Sequence, residues 1–315
     1  MFTTVTVSAG AREGQEPRPW GPLAAALMTA AVVVVCLRYP YLRLLMTVAP
    51  APIVIQRLRG TANAFVATAG AALLVGAATR FEDGLAFLMV LALPALLMGE
   101  AMARGRGLRR GCLWAFLLLC AEIGALLLAN GPEMAGHLTQ SAAQLRTLQM
   151  GQYLPPDQIE QWNEQSKTLE SALEIVYPAT WLILGGLMIA INAAVVRAYL
   201  ARRDPAWLDG GEFEGVRMPF GLAVMFVFAG AAVLIPPARP AAYNILLFVA
   251  FLLALQGLAV VLYYAHRLAG PPFLRKLVVV LVLLNPWASQ LLGLLGLFDL
   301  WFDFRRYADI PEAPK

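Results

Sequence analysis

The chain is poor in the residues that bind metals or act as nucleophiles in enzymes. Its 315 residues include two histidines and three cysteines. Neither a Cys-x-x-Cys pattern nor a Cys/His pair at metal-binding spacing occurs, and no Ser/His or paired-carboxylate arrangement is visible. Cys36, Cys112 and Cys120 fall in apolar stretches, where small hydrophobic side chains are expected. The sequence therefore predicts no metal, no cofactor, no disulfide framework and no catalytic residue.

Long polar stretches are also scarce. Charged residues make up 14% of the chain, and hydrophobic residues 60%. Apolar runs of about 20 residues match a hydrocarbon core roughly 30 Å thick. Nine apolar segments are found: Trp20–Leu37, Tyr41–Ile55, Thr61–Thr79, Gly84–Ala103, Gly111–Asn130, Ala172–Val196, Met218–Pro236, Tyr243–Ala265 and Leu277–Phe298. The predicted fold is all-α, a polytopic, multi-pass bundle of 8–9 membrane segments.

Two of these segments carry helix-breaking residues. Tyr41–Ile55 is short and contains Pro50 and Pro52, so we expect it to be broken and packed inside the bundle. Leu277–Phe298 has Asn285 and Pro286 in its middle, which allows either a crossing or a re-entrant hairpin. Its length favours the crossing.

The basic residues of the loops predict the orientation. If all nine segments cross and the N-terminus is cytoplasmic, fifteen Arg and Lys residues lie inside and six outside, up to Lys276. An extracytoplasmic N-terminus without a crossing at Tyr41–Ile55 gives the same tally. The predicted division is a polar cytoplasmic tail (1–19), membrane helices (20–130), extracytoplasmic helices (131–171), membrane helices (172–298) and an interfacial tail (299–315).

Residues 131–171 form the one sizeable hydrophilic stretch. Apolar residues recur there at three- and four-residue spacing on both sides of a break before Pro156, including Leu138, Leu145 and Trp162. This pattern predicts two amphipathic helices, the second beginning at Pro156 and continuing into the next span. Acidic residues predominate, so the hairpin would be an acidic lid over the bundle, a gate, or a docking face for a partner.

Ionisable side chains at membrane depth usually mark functional sites. Glu122 lies in the middle of an apolar span, where a carboxylate must carry a proton, meet a partner or face water. Asn192, Gln256 and Asn285 are amides in other spans. Interhelical hydrogen bonding explains most such amides. We nevertheless take these four residues as ligand-binding candidates and expect Glu122 to face Asn192 or Gln256.

Small residues four apart indicate close helix packing. The pairs are Ala26 with Ala30 and Ala72 with Gly76. Either the bundle itself or another membrane subunit would be the partner of these faces. The bilayer is the other expected partner, because the net charge of +4 resides in the inner loops and favours anionic lipid. The basic cluster 104–110 lacks interleaved aromatic residues, so no nucleic-acid partner is expected.

Several local patterns resemble the YybS-like family of bacterial membrane proteins. They are Pro94 with Gly99, Tyr177-Pro178, Arg217-Met-Pro219, Gln256-Gly257-Leu-Ala-Val260 and the closing Gly296-Leu-Phe-Asp299-Leu-Trp301-Phe-Asp303-Phe-Arg305. We take Gly257, Asp299, Trp301, Asp303 and Arg305 as motif residues with a structural role. The resemblance implies inner-membrane residence and no established activity. The family is also distantly similar to the substrate-binding S components of energy-coupling-factor vitamin transporters, which have fewer helices.

These patterns leave three hypotheses open. The first is a protein that binds or transports a small solute within the bundle, through Glu122, Asn192 and Gln256. The second is a non-catalytic scaffold or assembly partner in the cell envelope. An intramembrane enzyme comes third, since no catalytic constellation is visible. A closed, polar-lined cavity near the middle of the membrane would favour the first.

Overall fold

The structure is a computed structural model that describes residues 21–150, 156–203, 205–208, 215–267 and 287–307. Within these ranges every regular element is helical, which confirms the predicted all-α class. The segment 277–286, with Asn285, lies outside them, so neither the predicted crossing nor the position of this amide is described.

The N-terminal helices surround a broken segment. Helix α1 (Pro22–Arg38) is followed by a 3₁₀ helix (Pro40–Val48), α2 (Ala51–Arg59) and α3 (Thr61–Ala78). The break falls at Ala49-Pro50, as the prolines predict. The Thr29 hydroxyl donates a hydrogen bond of 3.1 Å to the Ala49 carbonyl, so the chain break does not leave this group unpaired. Ile53 and Val54 beyond the break are fully buried.

The next helical segment, residues 81–103, changes from α-helix to π-helix and back to α-helix. Helix α4 (Phe81–Ala86) passes into a π-helical turn (Phe87–Ala92) and then into α5 (Leu93–Ala103). Pro94 stands at the start of α5 and has no N–H to donate to the preceding turn. Such a turn widens the helix locally, and π turns occur often at functional sites.

Two long helices follow. Helix α6 (Gly107–Met150) bends at Asn130, whose backbone is non-helical (φ −137°, ψ 34°), and α7 (Pro156–Arg203) contains Pro178. Helix α7 begins at Pro156 as predicted. The first amphipathic helix follows the preceding span across the kink at Asn130, without an intervening loop. The link 151–155 and the contacts of the Trp162 side chain lie outside the described part, so both the hairpin and its extracytoplasmic position stay predictions.

The C-terminal helices are α8 (Gly221–Ala232), α9 (Arg239–Arg267), α10 (Ala288–Phe302) and α11 (Phe304–Tyr307), with a 3₁₀ turn at Pro236–Ala238. Helix α8 has 12 residues, too few to cross a bilayer. The predicted span Met218–Pro236 is thus shortened, because Pro219, Pro236 and Pro237 restrict helix formation at its ends.

The predicted count of 8–9 spans is not confirmed. By length and composition five described segments can cross a membrane: Thr61–Ala78, Phe81–Ala103, Gly107–Gly131, Lys167–Arg203 and Pro236–Ala265. Three apolar helices are shorter: Pro22–Arg38, Gly221–Ala232 and Ala288–Phe302. The described apolar helices therefore fall into two length classes, and composition alone did not separate them.

The bundle has a large core and a small one. The large core is built from residues of the helices between α1 and α7. The smaller core consists of Leu222 of α8 and Val249 and Leu253 of α9, against which Leu297 and Leu300 of α10 pack. Asn244 of α9 connects them beside Pro178 of α7: its amide donates to the Ile175 carbonyl at 2.8 Å and accepts from the Ala179 N–H at 2.9 Å. These are the groups that would bond to each other in an uninterrupted helix.

Candidate functional site

The region of interest is the seam where α6 and α7 pack antiparallel, beside the π turn. Gly185 of α7 has no room for a side chain, because Leu119 of α6 fills the space. Ala115 and Asn192 line a common cavity. These pairs set the register: Glu122 lies about one helical turn from the level of Trp181 and about 10 Å, or seven residues, from the level of Ala115 and Asn192.

Three buried polar groups of this seam lack hydrogen-bond partners among the described residues. They are both carboxyl oxygens of Glu122, the amide oxygen of Asn192 and the indole N–H of Trp181. Trp181, Gly185, Met188 and Asn192 recur at spacings of four, three and four residues, so they share one face of α7. The three groups therefore follow one another along a single seam.

A small cavity lies at the Asn192 end of the seam. Its walls come from the π turn and α5, from Ala115 of α6 and from α7; the lining residues are Leu91, Pro94, Ala95, Met98, Ala115, Met188, Ile189 and Asn192. Its volume is about 10 Å³. That is close to the room one water molecule needs. The polar-lined cavity that would favour a solute-binding protein is therefore not preformed at this seam.

The expected partners of Glu122 are not found. Asn192 is 4% exposed and makes no hydrogen bond to Glu122, and Gln256 is engaged in a different cluster. Glu122 does face the interior, since both oxygens are enclosed. Trp181 was missed from the sequence because an indole in an apolar span is ordinary, and no local pattern distinguishes a tryptophan whose N–H lacks a partner.

Gln256 belongs to a cluster at the other pole of the molecule. Its amide donates a hydrogen bond of 2.5 Å to Asp299, whose same oxygen receives Arg305 at 2.8 Å. The Gln256 carbonyl accepts the N–H of Met218 at 3.0 Å, and Arg305 donates to the Val216 carbonyl at 2.8 Å. The side chains of Asp299 and Arg305 are 1% and 3% exposed. We call these five residues the C-terminal cluster.

Local geometry at the end of α10 brings Arg305 back onto Asp299. Asp303 adopts a left-handed conformation (φ 44°, ψ 60°), and the next N–H, that of Phe304, bonds the second Asp299 oxygen at 3.1 Å. Asp303 itself pairs with Arg217 at 2.8 Å near the surface. Trp301 is 47% exposed and packs edge-on against Phe220.

Two glycines allow α9 and α10 to approach within backbone contact. A β-carbon at Gly257 would lie 2.8 Å from the Leu292 carbonyl carbon, and one at Gly296 would lie 2.8 Å from the Gly257 nitrogen. Real β-carbons do not approach other atoms this closely, so neither position accepts a side chain without separating the helices. This contact places Gln256 and Asp299 within bonding distance.

The small residues predicted at helix interfaces pack inside the chain. Ala26 and Ala30 of α1 are 2% and 5% exposed. Gly70 of α3 has its β-carbon position 3.1 Å from the Ala26 methyl group. Gly84 of α4 lies against Ala72 and Gly76, with 2.6 Å from its β-carbon position to the Ala72 carbonyl oxygen.

A second polar group lies at the α2 and α5 ends. The Glu100 carboxylate forms ion pairs with Arg57 at 2.5 Å and with Arg104 at 2.7 Å. The sequence indicates the Arg104 pair, one helical turn away, whereas Arg57 comes from a distant helix. No group of three or more His, Cys, Asp and Glu residues that could hold a metal occurs in the described ranges.

The comparisons with known proteins give a family and a relative. A family model described as a predicted membrane protein (DUF2232) matches residues 26–300. The uncharacterized protein YybS of Bacillus subtilis (strain 168) is 23% identical over 153 residues, which cover 46% of this chain. The aligned region spans about half the length of that relative (50%). No solved structure matches, so the distant similarity to S components gains no support.

Proposed function

The chain belongs to the DUF2232 family of predicted membrane proteins, and we propose that it binds a small polar solute between α6 and α7 as part of a transport process. The observation that carries this proposal is Glu122, whose two carboxyl oxygens are enclosed and have no partner in the described part of the chain. An intramembrane carboxyl group that has no bonding partner among the described residues is expected to serve a ligand or a proton. Residence in a bacterial inner membrane is part of the proposal.

The other polar groups of the seam support a binding role. Asn192 provides an amide and Trp181 an N–H donor on the same face of α7. A carboxyl group, an amide and a donor in an apolar seam could orient a small polar molecule. Since the cavity at Asn192 has a volume of only about 10 Å³, a solute larger than water requires α6 and α7 to separate. The bend at Asn130 in α6 and the proline inside α7, Pro178, are positions where such a movement could occur.

Native mass spectrometry of the full-length protein, purified in mild detergent, tests this proposal. We expect a bound small molecule in the wild type that is lost in Glu122→Gln, which keeps the shape of the side chain but removes its ionisation. Glu174→Gln, an exposed position on α7, is the matched control and should retain the molecule. A wild type without any bound molecule, or equal retention in both variants, would contradict the proposal.

A non-catalytic scaffold in the cell envelope is the second candidate. It is favoured by the small cavity and by the structural use of Gln256, which was a candidate ligand contact. A scaffold would tolerate Glu122→Gln without change in ligand content and would be recovered from native membranes together with a partner subunit. The same purification distinguishes the two functions.

A further inference from the structure

The turn between α5 and α6 concentrates positive charge at one end of the bundle. Arg104, Arg106, Arg109 and Arg110 fall within seven residues and are not buried. Gly105 and Gly107 have positive φ (69° and 79°), a conformation that lets the chain reverse within three residues. The orientation expected from the loop charges places this end on the cytoplasmic side.

This charge is not compensated by nearby acidic groups of the described chain. Glu100 is occupied by Arg57 and Arg104. Arg106 lies over the Trp114 ring at 5.9 Å. None of the three arginines Arg106, Arg109 and Arg110 forms an ion pair with a described residue. The first turn of α6 contains no acidic residue. The three arginines thus form an exposed cationic surface that favours an anion.

The cationic surface continues into an apolar one on the same side of α6. Leu113, Trp114 and Leu117 are 55%, 45% and 54% exposed and follow Arg109 and Arg110 at helical spacing. The opposite face, with Leu108, Ala115 and Leu119, is buried in the core. All of these residues belong to a span long and apolar enough to cross a membrane. An aromatic ring between charge and aliphatic side chains is typical of the lipid–water interface.

We propose that this face of α6 binds an anionic phospholipid. Arg109 and Arg110 would hold its phosphate, Arg106 on Trp114 would border the headgroup, and an acyl chain would lie along Leu113 and Leu117. A free anion would use only the arginines, whereas a lipid uses the charge and the exposed apolar stripe together. This inference does not depend on Glu122 or on the proposed solute.

Lipid titration of the delipidated, full-length protein, followed by native mass spectrometry, tests the inference. The probes are phosphatidylglycerol, phosphatidylethanolamine with the same acyl chains, and inorganic phosphate. We expect phosphatidylglycerol to bind about tenfold or more tightly than phosphatidylethanolamine, because basic residues near the membrane surface attract anionic lipid. Arg109→Gln/Arg110→Gln should abolish this preference, and Arg109→Lys/Arg110→Lys should largely retain it.

The matched control is Arg80→Gln/Lys167→Gln, which removes the same charge at two exposed positions. Arg80 follows the segment Thr61–Ala78, and Lys167 is the first residue of the segment Lys167–Arg203, so both lie far along the chain from the α5–α6 turn. It should bind phosphatidylglycerol as the wild type does. Equal loss in the control and the test variant would assign the preference to net charge and overturn the proposal. So would equal binding of the two lipids by the wild type, or displacement of phosphatidylglycerol by millimolar inorganic phosphate.

Discussion

The C-terminal cluster and the α6–α7 seam both bury polar groups in an apolar bundle, but they treat them differently. In the cluster, the Asp299 carboxylate accepts hydrogen bonds from Gln256, from Arg305 and from the backbone N–H of Phe304. In the seam, the Glu122 carboxyl group receives nothing from the described residues. A network of buried hydrogen bonds holds a structure together, whereas a buried polar group without hydrogen bonds costs stability. The comparison separates buried polar residues whose hydrogen bonds join helices from buried polar residues whose groups are not bonded within the described chain.

The difference also explains the motifs of the family resemblance. Three of them, around Arg217, around Gln256 and from Gly296 to Arg305, converge in and around the C-terminal cluster. Their side chains bond each other or the intervening backbone. A residue pattern that is specific in sequence here specifies how three segments meet, and it does not by itself identify a binding site.

Breaking the cluster should have the largest effect. Asp299→Ala leaves Arg305 buried without its carboxylate, and losing one partner of a buried ion pair costs about 3–5 kcal/mol. We expect little folded protein in the membrane, measured by fluorescence-detected size-exclusion chromatography. Arg217→Gln is the control, since the exposed Arg217–Asp303 pair contributes no more than about 1 kcal/mol. Wild-type amounts of Asp299→Ala protein would contradict a structural role for the cluster.

Separating α9 from α10 should have the next largest effect. A β-carbon at Gly296 would collide with the α9 backbone, and overpacking of this kind typically costs about 1–3 kcal/mol. Gly296→Ala should therefore lower the midpoint of thermal unfolding in detergent. Gly293→Ala, one turn earlier on α10, should change it little, because the nearest atom to its β-carbon position is the Ala250 carbonyl oxygen at 3.8 Å. Equal midpoints for the two variants would refute the close approach.

A substitution in the α6–α7 seam should change the stability least, and it should raise the stability rather than lower it. Glu122→Leu removes an enclosed carboxyl group that has no partner in the described chain, so the free energy of unfolding should stay unchanged or rise by about 1 kcal/mol. We expect the midpoint of thermal unfolding in detergent to stay unchanged or rise for Glu122→Leu. The midpoint should fall for Asp299→Leu, the contrasting variant. A large loss of stability for Glu122→Leu would show that the carboxyl group has a structural partner and would remove the distinction between the two regions.

Much of the helical architecture was predictable from local patterns. The break at Pro50, the start of α7 at Pro156 and the start of α3 at Thr61 follow from proline geometry and apolar length. Helix α8 was overestimated, because an apolar composition does not show where a helix ends when prolines flank it. The Glu122 position at the interior was predictable from its place in an apolar span, but its lack of a hydrogen-bond partner was not.

Amides illustrate why the site could not be assigned from the sequence. Gln256, Asn192 and Asn244 each lie in an apolar helix and are alike in local context. Gln256 is bonded in the C-terminal cluster, and Asn244 bonds to α7 beside Pro178. Asn192 borders a cavity, and its amide oxygen has no partner among the described residues. Each outcome depends on groups many residues away, and no local spacing contains that information.

The sequence by itself determined the class of the protein, because apolar length and helical periodicity are local properties that the bilayer dimension converts into membrane helices. It also determined where proline interrupts these helices, since proline lacks the N–H of a regular turn. Only the tertiary structure decided which buried polar groups are bonded. That outcome depends on the close approach of α9 and α10 at Gly257 and Gly296 and on the register of α6 against α7. Hydrogen bonds are short and directional, so they form only after packing has fixed the distances between helices.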